Sequence, residues 1–225
     1  MNRIILLLLV LVFAGCSNEE ISGESGKLRI KKIEYEDNTS TSYKYDSNGL
    51  LIEVNFSDEG ITSYQYSNGL VISSKSPQGY VTTYSHTGNL VTSEKDSFGS
   101  TTNYKYNDLG KLVEIDNVFG TTHYISKFEY NSKGNISKRI ESDGRFETYE
   151  YDNKPNVVVD CFFPMDLIKI ESDGNNSNNV IKELDNNGKI ITNAEYTYNE
   201  KGYPTTIIFN NEGVKEKVKL TYESY

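Results

Sequence analysis

From residue 28 onward, apolar and polar positions alternate over short stretches, and polar clusters containing glycine interrupt the alternation. In Val214-Lys215-Glu216-Lys217-Val218-Lys219-Leu220-Thr221-Tyr222 the apolar residues fall mostly on even positions, and lysine and threonine hold the odd ones. In Leu50-Leu51-Ile52-Glu53-Val54-Asn55-Phe56 the even positions are again apolar. A period of two predicts β-strands with one packed face and one wet face. Tyrosines two apart, such as Tyr104 and Tyr106, then share a face, which the pattern assigns to the packed side; Lys105 between them belongs to the wet side.

The strands recur as a repeat. Each copy is an aromatic pair, a turn with glycine, then an apolar residue. Tyr43-Lys44-Tyr45-Asp46-Ser47-Asn48-Gly49-Leu50 is one, and Tyr104-Lys105-Tyr106-Asn107-Asp108-Leu109-Gly110-Lys111-Leu112 is the cleanest. Others centre on Tyr64/Tyr66, Tyr84/His86, Phe128/Tyr130, Tyr149/Tyr151 and Tyr196/Tyr198; Leu184-Asp185-Asn186-Asn187-Gly188-Lys189-Ile190 keeps the turn without the tyrosines. The second aromatic position falls at 45, 66, 86, 106, 130 and 151, in steps of 21, 20, 20, 24 and 21. A second glycine turn lies between copies, for example at Phe98-Gly99, Phe119-Gly120 and Asp143-Gly144. Each unit thus holds two strands of about 7 residues and two short turns. Turns this short join antiparallel neighbours. The expected fold is all-β: an antiparallel up-and-down meander of about 16–18 strands, rolled into a barrel-like or flattened sheet. If the sheet flattens, its inner face packs on itself; if it stays round, it keeps a cavity walled by Tyr, Phe, Val and Leu. Tyrosine suits such a wall, since its hydroxyl can meet a headgroup.

The start of the chain has a different pattern. Arg3 precedes an apolar run from Ile4 to Phe13, ten residues long. That is half the length of a membrane-spanning helix and suits the core of a signal peptide. Phe13-Ala14-Gly15-Cys16 follows, with small residues where a peptidase would cut and a thiol just beyond. This resembles the bacterial lipoprotein box, although Phe13 stands where leucine is usual. The resemblance implies cleavage before Cys16 and acyl chains, palmitate among them, on that cysteine. Residues 1–15 are then the signal peptide, residues 16–27 a lipidated flexible tether rich in Gly and Ser, and residues 28–225 one repeat domain. Ser17-Asn18-Glu19-Glu20 resembles the acidic surface-export signal of Bacteroidetes lipoproteins. The expected address is the outer membrane, lipid-anchored and exposed at the surface.

Composition agrees with strands and turns: 18 Tyr, 9 Phe, no Trp, 17 Gly and only 4 Pro. Loss of residues 1–15 removes Arg3 alone among the charges, taking the net charge from −9 to −10. Such a surface repels phosphates, so no nucleic-acid partner is expected and strongly anionic ligands are disfavoured. Cys16 and Cys161 are the only cysteines. With Cys16 acylated no internal disulfide forms, and Cys161 in Val157-Val158-Val159-Asp160-Cys161-Phe162 is expected to be a buried hydrophobe.

Catalytic chemistry is not legible. The two histidines, His86 and His123, lie in strand patterns, and His86 replaces a repeat tyrosine. There is no Gly-x-Ser-x-Gly elbow and no phosphate-cradling Gly-x-x-x-x-Gly-Lys. Aspartates 46, 58, 143, 152, 173 and 185 sit in turns, where they bond their own backbone. Asp173-Gly174-Asn175-Asn176-Ser177-Asn178-Asn179 has the composition of a calcium loop but lacks the sixth-position glycine and the closing glutamate. The expectation is a protein that is not an enzyme, with no cofactor and no metal.

The tyrosine-turn-glycine pattern over residues 28–225 resembles the YD repeats of RHS-type proteins. With the signal it resembles a family of Bacteroides-type lipoproteins with a porin-like β fold, members of which are described as lipid-binding. The resemblance implies a β barrel and a lipid or amphipathic ligand; it carries no functional residue across, and the ligand-binding residues stay unknown. A spanning pore is not expected, because Lys215, Lys217 and Lys219 share one face of one strand, and a lysine at the bilayer midplane costs about 2–4 kcal/mol. The favoured expectation is a membrane-anchored binding protein for a lipid or another hydrophobic molecule. The alternative is a structural spacer or a protein- or glycan-interaction module at the cell surface.

Overall fold

The computed structural model describes residues 28–156 and 175–225. The signal peptide, Cys16, the tether, Cys161, Asp173 and Gly174 lie outside the described residues. Sixteen strands run in chain order: β1 (Leu28–Tyr35), β2 (Ser40–Tyr45), β3 (Leu51–Phe56), β4 (Gly60–Ser67), β5 (Leu70–Lys75), β6 (Val81–Thr87), β7 (Leu90–Asp96), β8 (Thr101–Tyr106), β9 (Leu112–Phe119), β10 (Thr122–Tyr130), β11 (Ile136–Glu141), β12 (Phe146–Pro155), β13 (Asn178–Leu184), β14 (Ile190–Tyr198), β15 (Pro204–Asn211) and β16 (Val214–Ser224). Each is antiparallel to its sequence neighbours, and β1 pairs with β16, so the meander closes into a barrel. No α-helix occurs among the described residues. The seam is pinned by Arg29, whose Nε lies 2.8 Å from Glu223 Oε1 and whose guanidinium stacks 4.1 Å over the Tyr45 ring.

The turns decide where strands reverse. Asp46 Oδ1 accepts from the backbone N–H of Asn48 and Leu50, and Gly49 takes φ +84°, a region closed to most side chains. Asp96, Asn107, Asn131, Asp185 and Asn199 repeat the same pair of bonds. The carboxylates of Asp46 and Asp185 do the local work expected of turn aspartates; Asp152 does not sit in the expected turn but inside β12, where it accepts from the backbone N–H of Lys154 and from the backbone and side-chain amides of Asn179. The shorter copy, Ser67-Asn68-Gly69-Leu70, has positive φ at both Asn68 and Gly69, the geometry of a two-residue hairpin turn.

The tyrosine turns all lie at one rim. They follow the even strands β2, β4, β6, β8, β10 and β14, while the second set of glycine turns follows the odd strands at the opposite rim; the Tyr149/Tyr151 copy has no turn at its expected place, since β12 continues through Asp152-Asn153-Lys154 to Pro155. Asp185–Gly188 joins β13 to β14 and so belongs to the opposite rim, although its sequence groups it with the tyrosine copies. Each tyrosine-turn hairpin also carries a β-bulge beside the second aromatic, at Lys44/Tyr45, Gln65/Tyr66, Ser85/His86, Lys105/Tyr106, Glu129/Tyr130 and Thr197/Tyr198. The extra residue shifts the phase of the next strand. In β3 it puts Leu51 opposite Tyr45 and Val54 opposite Tyr43, so the even-numbered face expected from alternation holds for Val54, and the odd-numbered Leu51 joins it on the packed side, fully buried.

Candidate ligand-binding lumen

Residues directly opposite each other in a ladder share a face. Following those pairs around the wall gives the lumen lining: Tyr43 faces Val54, Val54 faces Thr62, Tyr64 faces Ser74, Tyr84 faces Glu94, Glu94 faces Thr102 and Tyr104 faces Ile115. Both tyrosines of a pair point inward, as expected. The outward face is polar, with cross-strand ion pairs Lys44–Glu53 at 3.0 Å, Lys105–Glu114 at 2.6 Å and Lys182–Glu150 at 2.7 Å. A wall charged at mid-strand is not the apolar band that a membrane-spanning barrel presents to lipid.

The lumen is unequal at its two ends. Behind the tyrosine turns Ile30, Leu51, Val71, Val91 and Leu112 are all 0% exposed, and Ile136 and Pro204 join them in a packed floor. At the other mouth the same inward face is open: Tyr35 is 41% exposed, Phe119 54% and Tyr124 55%, and beside them Tyr80 and Phe98, in the connections before β6 and β8, are 48% and 70% exposed. The sheet therefore packs on itself at one rim and stays open at the other, which joins the two outcomes that the residue pattern leaves open.

Two cavities occupy the side of the lumen away from the larger core cluster. One of about 250 Å³ is lined by Tyr149, Val180, Glu183, Thr192, Ala194, Tyr196, Ile207 and Phe209. Another of about 600 Å³ sits at the open mouth, against Tyr35, Phe56 and Val218, with five carboxylates, Asp37 and Asp58 among them, and two lysines, Lys215 and Lys217, so acids outnumber bases there. They border on the same cross-strand pairs, Ile207 with Val218 and Phe209 with Glu216. Their sizes suit small apolar or amphipathic molecules.

Polar groups gather toward the mouth. Tyr149 donates a 3.0 Å hydrogen bond to Glu147 Oε2; Arg139 lies 2.6 Å from Glu141 and 3.9 Å from Glu147. Glu183 stands opposite Tyr149, and burial, helped by the nearby Glu147, pushes its carboxyl above the usual range. Across the lumen, burial raises Glu94 in the same way, against hydrogen bonds from Tyr104 and Thr102. Four glutamates, Glu94, Glu141, Glu147 and Glu183, against Arg139 make this end hospitable to neutral or cationic groups rather than anionic ones.

The tyrosine hydroxyls have another task than the one expected. Tyr45, Tyr66, Tyr106, Tyr130, Tyr151, Tyr196 and Tyr222 donate to the backbone carbonyls of Ile30, Leu51, Val91, Leu112, Ile136, Val180 and Pro204, at 2.5–2.9 Å. They are committed to the wall, which leaves Glu183 and Thr192 among the polar groups that line the smaller cavity. Sequence reasoning missed this; the fifteen-residue step from Ile30, Leu51, Val91 and Ile136 to Tyr45, Tyr66, Tyr106 and Tyr151 is the signal that carried it.

The remaining sequence candidates are dispersed. His86 lies inward at a tyrosine position, opposite Val91, and His123 lies outward, 3.0 Å from Asp116. No group of three metal-ligating side chains occurs among the described residues. The asparagines of the calcium-like segment are structural. Asn175 Oδ1 accepts from Leu112 N–H, and Asn176 Oδ1 accepts from Ile136 N–H and the Tyr151 hydroxyl. Oxygens that a cation would need are taken by hydrogen-bond donors.

The class these features define is a closed, 16-strand, up-and-down β-barrel with one packed and one open end. Among solved structures, a porin-like protein from Bacteroides uniformis is similar over 86% of this chain and 98% of its own, with TM-score 0.63 and 17% identity. A porin-like protein from Bacteroides vulgatus is more distant, with TM-score 0.48 and 13% identity over 87% of this chain and 99% of its own. At these identities the likeness shows the barrel fold. No family model matches the sequence, and no curated protein is similar to it.

Proposed function

We propose that this chain is a non-catalytic, lipid-anchored outer-membrane protein whose lumen holds a neutral or weakly charged amphipathic molecule, tail toward the packed floor and head toward the open mouth. The observation that carries this reading is the exposure gradient along one inward face, fully buried at the tyrosine-turn rim and open at the other. The cavities lie along that gradient, and their acidic end favours a head without negative charge. Strand β1 enters at the packed rim, beside Ser224 at the end of β16. A tether to acylated Cys16 therefore leaves from the packed rim, and the open mouth points away from the membrane. The tyrosine spacing that resembles YD repeats supplies the wall of such a barrel.

Residues 17–225 contain every strand of the barrel and lack the anchor, so their own acyl chains give no false signal. Native mass spectrometry and solvent extraction of this form should yield a bound lipid-like species. A fluorescent monoacylglycerol should bind, and Ala194→Trp, which fills the smaller cavity, should weaken it at least tenfold. No bound species and no probe binding would leave the interaction-module reading as the better one. The anchor has a separate test: an alkyne fatty acid fed to cells should label the full-length protein, and Cys16→Ser should abolish the label.

A further inference from the structure

The open mouth carries four exposed aromatic rings on three consecutive hairpins. Tyr80 and Phe98 lie with centroids 4.5 Å apart and planes tilted by 55°; Phe119 and Tyr124 lie 6.0 Å apart at 69°. The two pairs adjoin. Thr101 is opposite Val118, so the next step of that ladder sets Ser100, two residues from Phe98, beside Phe119. We propose that these ring pairs form a stacking platform for a neutral glycan. The site is separate from the lumen cavities and does not depend on a lumen ligand.

Phe98 and Tyr80 stand on hydrogen-bonded turns. Asp96 Oδ1 accepts from Phe98 N–H and Ser100 N–H, and Gly79 N–H bonds to Ser76 O across the neighbouring turn. An aromatic fixed on a tight turn loses little conformational entropy when a ligand stacks on it. Phe98 fills the third position of its turn, where Asn48, Gln78, Lys133, Asp143, Asn187 and Lys201 stand in equivalent turns and Leu109 is the other apolar residue. Nothing in the packing calls for a phenylalanine there, since most of its surface meets water.

Chemistry and size choose among occupants. The segments 76–80, 97–100 and 119–122 carry no charge, and serine, threonine and glutamine surround the rings. A pyranose offers an apolar C–H face to a ring and hydroxyls at its edge to such neighbours. Phospholipid headgroups would call for basic residues at the rim. A protein partner, or a second copy of this chain, would need about 800 Å² from each side. The four rings, 48–70% exposed, offer roughly 450 Å², taking about 200 Å² for a whole aromatic residue.

The test is affinity electrophoresis of residues 17–225 through native gels holding dextran, xylan or glucomannan. Retardation in at least one gel is expected. Phe98→Ala/Phe119→Ala should reduce the apparent affinity at least tenfold, with an unchanged thermal melt because both side chains are exposed. Leu109→Ala, equally exposed at the opposite rim, should leave retardation intact, and so should Ala194→Trp in the lumen. No retardation in any of the three gels overturns the proposal, as does retardation that survives the double substitution. Binding to phosphatidylcholine vesicles that is lost in the same double variant would also overturn it, in favour of a membrane contact. If the double variant fails to fold, Phe98→Ser alone, at a turn position that accepts polar residues, carries the same expectations.

Discussion

The Tyr106 hydroxyl donates a 2.8 Å hydrogen bond to the carbonyl oxygen of Val91, fifteen residues earlier on the neighbouring strand. The ladder between β7 and β8 stops at Ser93 and Asn103, so the Val91 carbonyl lies beyond its last rung. The phenol satisfies an acceptor that strand separation would otherwise leave buried and unmet. Tyr45, Tyr66 and Tyr151 make the same fifteen-residue link where their own ladders end short. The repeat tyrosine is thus a wedge that lets adjacent hairpins splay at the packed rim without losing a hydrogen bond.

Removing only that hydroxyl should therefore be felt. Tyr106→Phe leaves the Val91 carbonyl unmet and should cost about 1–2 kcal/mol. Tyr106→Ala also empties ring volume from the core and should cost about 3–5 kcal/mol. Lys105→Ala loses only an exposed ion pair with Glu114 and should cost about 0.5 kcal/mol or less. Urea melts of the three variants rank them; equal losses would contradict the assignment of faces.

Asn135 should be as sensitive as a core hydrophobe, despite being polar. It is 0% exposed, and its Oδ1 accepts from the N–H groups of both Ser177 and Asn178. Its amide donates to Asn178 Oδ1. Asn135→Ala strands two backbone donors and should cost about 2–4 kcal/mol. The neighbouring turn residue Lys133 is exposed, and Lys133→Ala should be near neutral in the same denaturant series.

Stability should peak in mildly acidic solution. Burial raises Glu94 and Glu183, so the folded barrel holds protons that the unfolded chain releases above the ordinary glutamate value of 4.5. Stability from these groups is present below that value and is lost as pH rises through their raised values. Asp143 and Asp185 are lowered by backbone hydrogen bonds from Arg145 and Lys189, so their contribution is lost as pH falls below 3.8. Thermal melts between pH 3 and 8 should show a maximum at about pH 4–5. Glu94→Gln should raise the melting temperature at pH 7 and flatten the decline on the neutral side. An unchanged slope would mean that Glu94 is ionised without penalty in the lumen.

Much of this molecule is legible in one dimension. Alternation of period two, glycine turns and a step of about 21 residues determine strands, antiparallel neighbours and a tyrosine-rich inner face, because each depends on residues a few positions apart. The expectation of a signal peptide and an acylated Cys16 rests on equally local residues. The tertiary structure alone decided closure, which joins Arg29 to Glu223 across 194 residues. It decided the phase shift that buries Leu51, since a bulge is set by how two strands register rather than by either strand's pattern. It turned Asn175 and Asn176 from candidate cation ligands into caps for Leu112 and Ile136. It also decided which mouth is open, because the exposure of Val91 and Phe119, both on the inward face, depends on how strands far apart in the chain converge at one rim and diverge at the other.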